Sequence, residues 1–134
     1  MDHQQKRPAG ITALCLFFVF GTLASGLAGL MVLFRGTWLD VLWGLNPRAR
    51  QSLLGMGNRA VFLMCAVSLA CALAALGLWR CRRWGYWTAA AILSINLLGD
   101  TVNALFLHDW RTLIGLPIGG LMIGYLLGKR RIFK

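Results

Sequence analysis

The sequence predicts an all-α protein: a four-helix transmembrane bundle with a short interfacial segment between helices one and two. Three observations predict it. Hydrophobic residues make up 58% of the 134-residue chain and charged residues only 13%, an apolar share above that of ordinary soluble domains. The apolar residues fall in long runs, Ile11–Phe34, Ala60–Trp79, Trp84–Leu107 and Leu113–Gly128, and about 20 such residues in a helix cross the roughly 30 Å hydrocarbon core. The charges gather between the runs. Helices are expected at about 11–34, 54–79, 84–107 and 110–128. So little chain is left that one transmembrane domain, residues 1–134, accounts for it.

Residues 1–10 are polar, contain Pro8, and read as a loose tail. Lys6-Arg7, an apolar stretch and Ala24-Ser25-Gly26 resemble a signal peptide. The apolar run continues without a break to Phe34, so an uncleaved first helix is expected. It carries Gly21, Ser25 and Gly29 at four-residue spacing. Lipid gives helices no hydrophobic reason to associate, so small residues in this pattern matter by letting backbones approach. In the long connection, Trp38, Leu39, Val41, Leu42 and Trp43 form an apolar patch between Gly36 and Gly44, suited to the headgroup region. Asn46-Pro47 reads as a cap followed by a first helical residue. Helix two is therefore expected to begin in the interface near Pro47 and to enter the bilayer near Arg59. Ala66, Ala70 and Ala74 lie on one stripe of it, with Gly77 near its end.

The short turn Arg80-Cys81-Arg82-Arg83 makes helices two and three antiparallel neighbours, with Trp79, Trp84, Tyr86 and Trp87 as an aromatic belt. Helix three carries Ser94, Asn96, Asp100, Thr101 and Asn103. His108-Asp109 is expected to form a tight outer turn. Helix four is the shortest and reaches spanning length only if it starts near Trp110. It holds Gly115-x-x-x-Gly119 and Gly120-x-x-x-Gly124-x-x-x-Gly128, and Pro117 predicts a kink.

Net charge is +10, yet the pattern is not a nucleic-acid footprint, because the basic residues cluster at helix ends. Lys6, Arg7, Arg80, Arg82, Arg83, Lys129, Arg130, Arg131 and Lys134 are nine of the fourteen Lys and Arg residues. They fall on one side if all four helices cross. The positive-inside rule then predicts a multi-pass protein of the cell inner membrane with both termini cytoplasmic, and with anionic lipids attracted to that face. Arg35, Arg48, Arg50, Arg59 and Arg111 fall on or near the other side.

The strongest candidate site is a carboxylate at membrane depth. Asp100 is flanked at −4 and +3 by Asn96 and Asn103, which puts all three on one helical face. A charged side chain at a helix centre costs on the order of 2.5–3.5 kcal/mol on insertion scales, so it is usually paired or faces a polar cavity. Asp100 lies about 24 Å along the helix from Trp84, near the depth at which Arg59 enters. Arg59 and Arg111 are its candidate partners. The structural expectation is an intramembrane ion pair that fixes helix register. The functional alternative is a site for a proton, cation or polar ligand.

Other chemistry is thinly represented. His108-Asp109-x-Arg111 lacks a nucleophile with a base in reach and reads as a turn and cap. His3 and His108 lie on opposite sides of the expected membrane, which excludes a bis-histidine haem, and no metal site or cofactor is expected. Cys15, Cys65 and Cys71 sit in apolar runs and Cys81 in a link, without Cys-x-x-Cys spacing, and are expected to be small buried residues. In length and helix count the chain is similar to small multidrug exporters, but their essential acidic residue in the first helix has no counterpart here.

From Gly77 to Gly120 the chain reads Gly-Leu-Trp-Arg-x-Arg-Arg-Trp-Gly, then Asn-Leu-Leu-Gly-Asp, then Leu-Ile-Gly-Leu-Pro-Ile-Gly-Gly. This stretch resembles small uncharacterised four-helix bacterial integral membrane proteins. The resemblance implies a fold and a bacterial source and carries no activity. The expected function is a non-enzymatic structural or accessory subunit of a larger bacterial inner-membrane assembly, such as one that handles electrons or light. It would pack against other integral membrane proteins through Gly21, Ser25, Gly29, Gly115, Gly119, Gly120 and Gly124. The alternative is a small carrier or ligand-binding membrane protein built on Asp100.

Overall fold

The computed structural model describes residues 8–107 and 112–133. Among these, all regular structure is helical: α1 (Ala9–Leu33), α2 (Pro47–Met56), α3 (Asn58–Trp79), α4 (Arg83–Leu107) and α5 (Gly115–Gly128). Three 3-10 segments, Trp38–Leu45, Thr112–Ile114 and Arg130–Ile132, punctuate them. α1, α3 and α4 are long and apolar enough to cross a membrane. α5 has 14 residues, about 21 Å at the α-helical rise, so by itself it falls short of a span. Of the helix expected at 110–128, residues 110 and 111 lie outside the described residues, and Thr112–Ile114 form a 3-10 turn ahead of α5. Pro117 is the third residue of α5, in the first turn, where proline is tolerated.

The second helix of the sequence reading is two helices. Asn46 caps α2, its Oδ1 accepting from the Ala49 N–H at 3.1 Å, with Pro47 at the first position. Gly57 then breaks the run at φ +59 and ψ −135, a region open to glycine almost alone, and α3 starts at the next residue.

The chain forms two compact units. One joins the segment through Phe18 to everything from Leu73 onward, and the other is Val19–Ala72; α1 and α3 each pass through both. In the second unit, the later half of α1 lies antiparallel to the first half of α3. A Cβ at Gly21 would stand 3.4 Å from Cys71 Sγ, one at Gly26 3.5 Å from Ser68 Oγ, and one at Gly29 3.2 Å from Met64 Cβ. Ser68 Oγ also donates across the seam to the Thr22 carbonyl at 3.0 Å. Ser25 turns its hydroxyl back to Gly21 O at 2.6 Å, which removes a donor from the packed surface. The long connection closes this unit. Trp43 is 6% exposed and packs with Met31, Val32 and Ala60, while Trp38 on the same 3-10 segment is 79% exposed. One face of the segment therefore covers the helix ends and the other faces out. Asp40 secures it by accepting from the Gly36 N–H at 3.1 Å and lying 4.0 Å from Arg50.

In the first unit, α3 and α4 meet backbone to backbone. A Cβ at Gly77 would collide with Gly85 Cα, and one at Gly85 with the Gly77 backbone. The turn between them is a Schellman motif: the Arg82 N–H donates to Gly77 O at 2.9 Å and the Cys81 N–H to Leu78 O at 3.0 Å. Cys81 holds the left-handed position, φ +50, where glycine is usual. Gly10 of α1 lies directly against the Tyr125 ring of α5.

Candidate functional site

α4 and α5 run antiparallel and create the site that the sequence singled out. Two glycines of α5 lie close against α4. A Cβ at Gly119 would lie 3.3 Å from Leu97 Cδ1, and one at Gly115 only 2.6 Å from Asp100 Oδ2. Asp100 thus fills the space that a side chain at Gly115 would need. Gly115 is the first residue of α5, directly after the 3-10 turn Thr112–Ile114.

A groove of about 360 Å³ opens here, lined by Phe17 of α1, by Asn96, Leu97 and Asp100 of α4, and by Gly115 and Gly119 of α5 among others. Asp100 is half-buried and Asn96 exposed within it. Asn103, on the same helical face, is exposed and does not line the groove. Thr101 turns its hydroxyl back to Leu97 O at 2.7 Å, the usual resort of a helical threonine. The structure therefore brings Asn96 and Asp100 together and leaves Asn103 at the edge.

Arg111 lies outside the described residues, as do His108, Asp109 and Trp110. Arg59 belongs to the other unit. Within its own unit Asp100 makes no ion pair among the described residues. What the structure assigns to Asp100 is the Gly115 cradle, and that relationship was not legible in the sequence.

The other expected packing residues divide sharply. Gly21, Gly29, Gly115 and Gly119 each have a neighbour within contact distance. Gly120 and Gly124 face open space and are exposed, so the second glycine series packs against nothing among the described residues. Cys15 and Cys71 are buried as expected of small apolar residues, but Cys65 is exposed; all four cysteines are free thiols. No group of three metal-ligating side chains gathers among the described residues.

Two close approaches escaped the sequence reading. Gly85 pairs with Gly77 around the arginine turn, a symmetry visible as two glycines bracketing a short link. Tyr125 against Gly10 left no such trace. Comparison with protein-family models, curated proteins and solved structures finds no match to this chain.

Proposed function

We propose that this chain is a non-enzymatic structural or accessory subunit of a larger assembly in a bacterial inner membrane, with four membrane-crossing helices and both termini cytoplasmic. The supporting observation is the outward face of α5. Gly120, Leu121, Gly124 and Leu127 form one exposed face, and Gly120 and Gly124 have open space beside them. Elsewhere on this chain, glycines at helix spacing seat a neighbouring helix. In lipid such a face serves close approach by another backbone, here a helix from another membrane protein.

The test is purification of the full chain in a gentle detergent, with identification of co-purifying proteins and of any absorbing cofactor. Gly120→Leu with Gly124→Leu should leave the melting temperature unchanged and strip away the partner. A wild-type chain that purifies alone, or a double variant that keeps its partners, would refute the reading. An assembly that handles electrons or light would announce itself through bound chromophores.

The groove supports a second reading, a small carrier that uses Asp100 and Asn96. The two separate on Asp100→Asn. If Asp100 holds Arg59 or Arg111, the change strands an arginine, and losing one partner of a buried pair costs about 3–5 kcal/mol in soluble proteins, less where membrane alternatives exist. Folded protein is then lost, and exchanging Asp100 with its arginine recovers part of it. Under the carrier reading the variant folds normally and loses only ligand or proton coupling.

A further inference from the structure

We propose that the chain carries a defined binding pocket for a phosphate group, assembled from the start of α4 and the folded-back C-terminal segment. It is distinct from the Asp100 groove and independent of the accessory-subunit reading. The pocket has a volume of about 490 Å³ and is lined by Arg83, Tyr86, Trp87, Arg130, Arg131 and Phe133. Three guanidinium groups and three aromatic rings thus come from two segments far apart in sequence.

The C-terminal segment does not trail away from α5. The Ile132 N–H donates to Lys129 O at 3.0 Å and the Phe133 N–H to Arg130 O at 3.3 Å, closing a 3-10 turn. The turn places the Phe133 ring 5.4 Å from that of Tyr86, and both side chains are buried. This apolar clasp gathers Arg130 and Arg131 beside Arg83. Among the described residues no carboxylate lines the pocket, and none of the three arginines has an ion-pair partner. Like charges held together at a folded site repel unless an anion joins them.

Guanidinium is the side chain best matched to phosphate, because its planar fork donates two parallel hydrogen bonds. The size falls in the range of small-ligand sites, ample for a phosphate with a glycerol-sized substituent. The exposed Trp87 at its edge and the start of an apolar helix suit a ligand whose tail continues into lipid. A phospholipid headgroup and a free phosphate ester share this chemistry, and the experiment separates them.

Full-length protein in neutral detergent is titrated with phosphatidylglycerol or phosphatidylcholine of the same acyl chains, and bound lipid is read by native mass spectrometry. Inorganic phosphate and glycerol phosphate are added as competitors. Phosphatidylglycerol should be retained preferentially, and each arginine removed should cut that retention about fivefold, so Arg130→Gln with Arg131→Gln loses it. Arg35→Gln with Arg50→Gln removes the same charge outside the pocket and should leave retention intact. Phe133→Ala keeps every charge and opens the clasp, so it too should lose the lipid. Displacement of the lipid by millimolar phosphate, or saturable phosphate binding without lipid preference, would support the site with a soluble ligand. Equal loss in both double-arginine variants, or no anion preference at all, would overturn the proposal in favour of diffuse charge. The two double-arginine variants decide the matter even if Phe133→Ala fails to fold.

Discussion

The carboxylate of Asp100 occupies the place of the missing side chain of Gly115: a Cβ built on Gly115 would stand 2.6 Å from Oδ2. A polar residue that is costly in a membrane is thereby tied to a residue chosen for having no side chain.

Gly115→Ala should therefore act through Asp100. The methyl group evicts the carboxylate from the start of α5 and should lower stability by about 1–3 kcal/mol, the range for overpacking. In an Asp100→Ala background the same methyl meets empty space and should cost almost nothing. Melting temperatures of the four proteins in detergent give a double-mutant cycle. A coupling of 0.5 kcal/mol or more is expected for groups in contact, about the lower bound for such pairs. Strict additivity would mean that the carboxylate moves aside freely and the cradle is incidental.

A sharper contrast is expected among glycines that look alike in the sequence. Gly77 and Gly85 abut each other's backbone, which cannot rotate away as a side chain can. Gly77→Ala or Gly85→Ala should cost about 3 kcal/mol or more, at the upper end for overpacking. Gly120→Ala faces open space and should be neutral or stabilising by about 0.5–1 kcal/mol, since alanine suits a helix interior better. Similar melting temperatures for all three variants would remove the distinction between inner and outer faces.

That contrast also marks how far the sequence could be read. Apolar run length and turn chemistry revealed α1, α3, α4 and the Asn46 cap, because those signals are local. The spacing of Gly115, Gly119, Gly120 and Gly124 announced close packing but could not say which glycines face inward. That depends on helix rotation, and α5 is apolar on every side. The break at Gly57 was hidden because a glycine between two helix-forming stretches looks like any helical glycine until its dihedrals are known. The partnership of Asp100 with Gly115 is a contact between an acidic residue and an absence, for which no residue pattern exists.

Gly57 supplies its own test. At φ +59 and ψ −135, Gly57→Ala places a Cβ in a backbone region that costs of order 1–3 kcal/mol. The strain is relieved only if α2 and α3 merge or α2 swings away. Either movement pulls Leu53 and Ala49 off the Trp43 cluster. The expected result is a lower melting temperature together with new protease cleavage between residues 35 and 57. A variant with wild-type melting and cleavage would mean that the break is not needed to seat the 3-10 segment Trp38–Leu45.

Topology is the prediction with the widest consequence, because α5 alone is too short to span. Within its unit, three contacts mark one end: Gly10 against Tyr125, Gly77 against Gly85, and Tyr86 against Phe133. The start of α1, the α3–α4 turn and the end of α5 therefore share a level. At the other end, Gly115 sits beside Asp100, seventeen residues beyond Arg83, or about 25 Å along α4. α5, about 21 Å long, thus covers most of the depth from Asp100 back to Arg83. The basic residues argue the same way. Four crossings place nine of the fourteen on one face, whereas three would set Lys129, Arg130, Arg131 and Lys134 opposite Arg80, Arg82 and Arg83, against the positive-inside bias. Reporters inserted in the 80–83 turn and fused after Lys134 should both be active in the cytoplasm, with one near Trp43 active on the far side. A C-terminal reporter on the far side, with the 80–83 reporter cytoplasmic, would show that only three helices cross. It would also separate Arg130 and Arg131 from Arg83, and the phosphate pocket would fall with the fourth crossing.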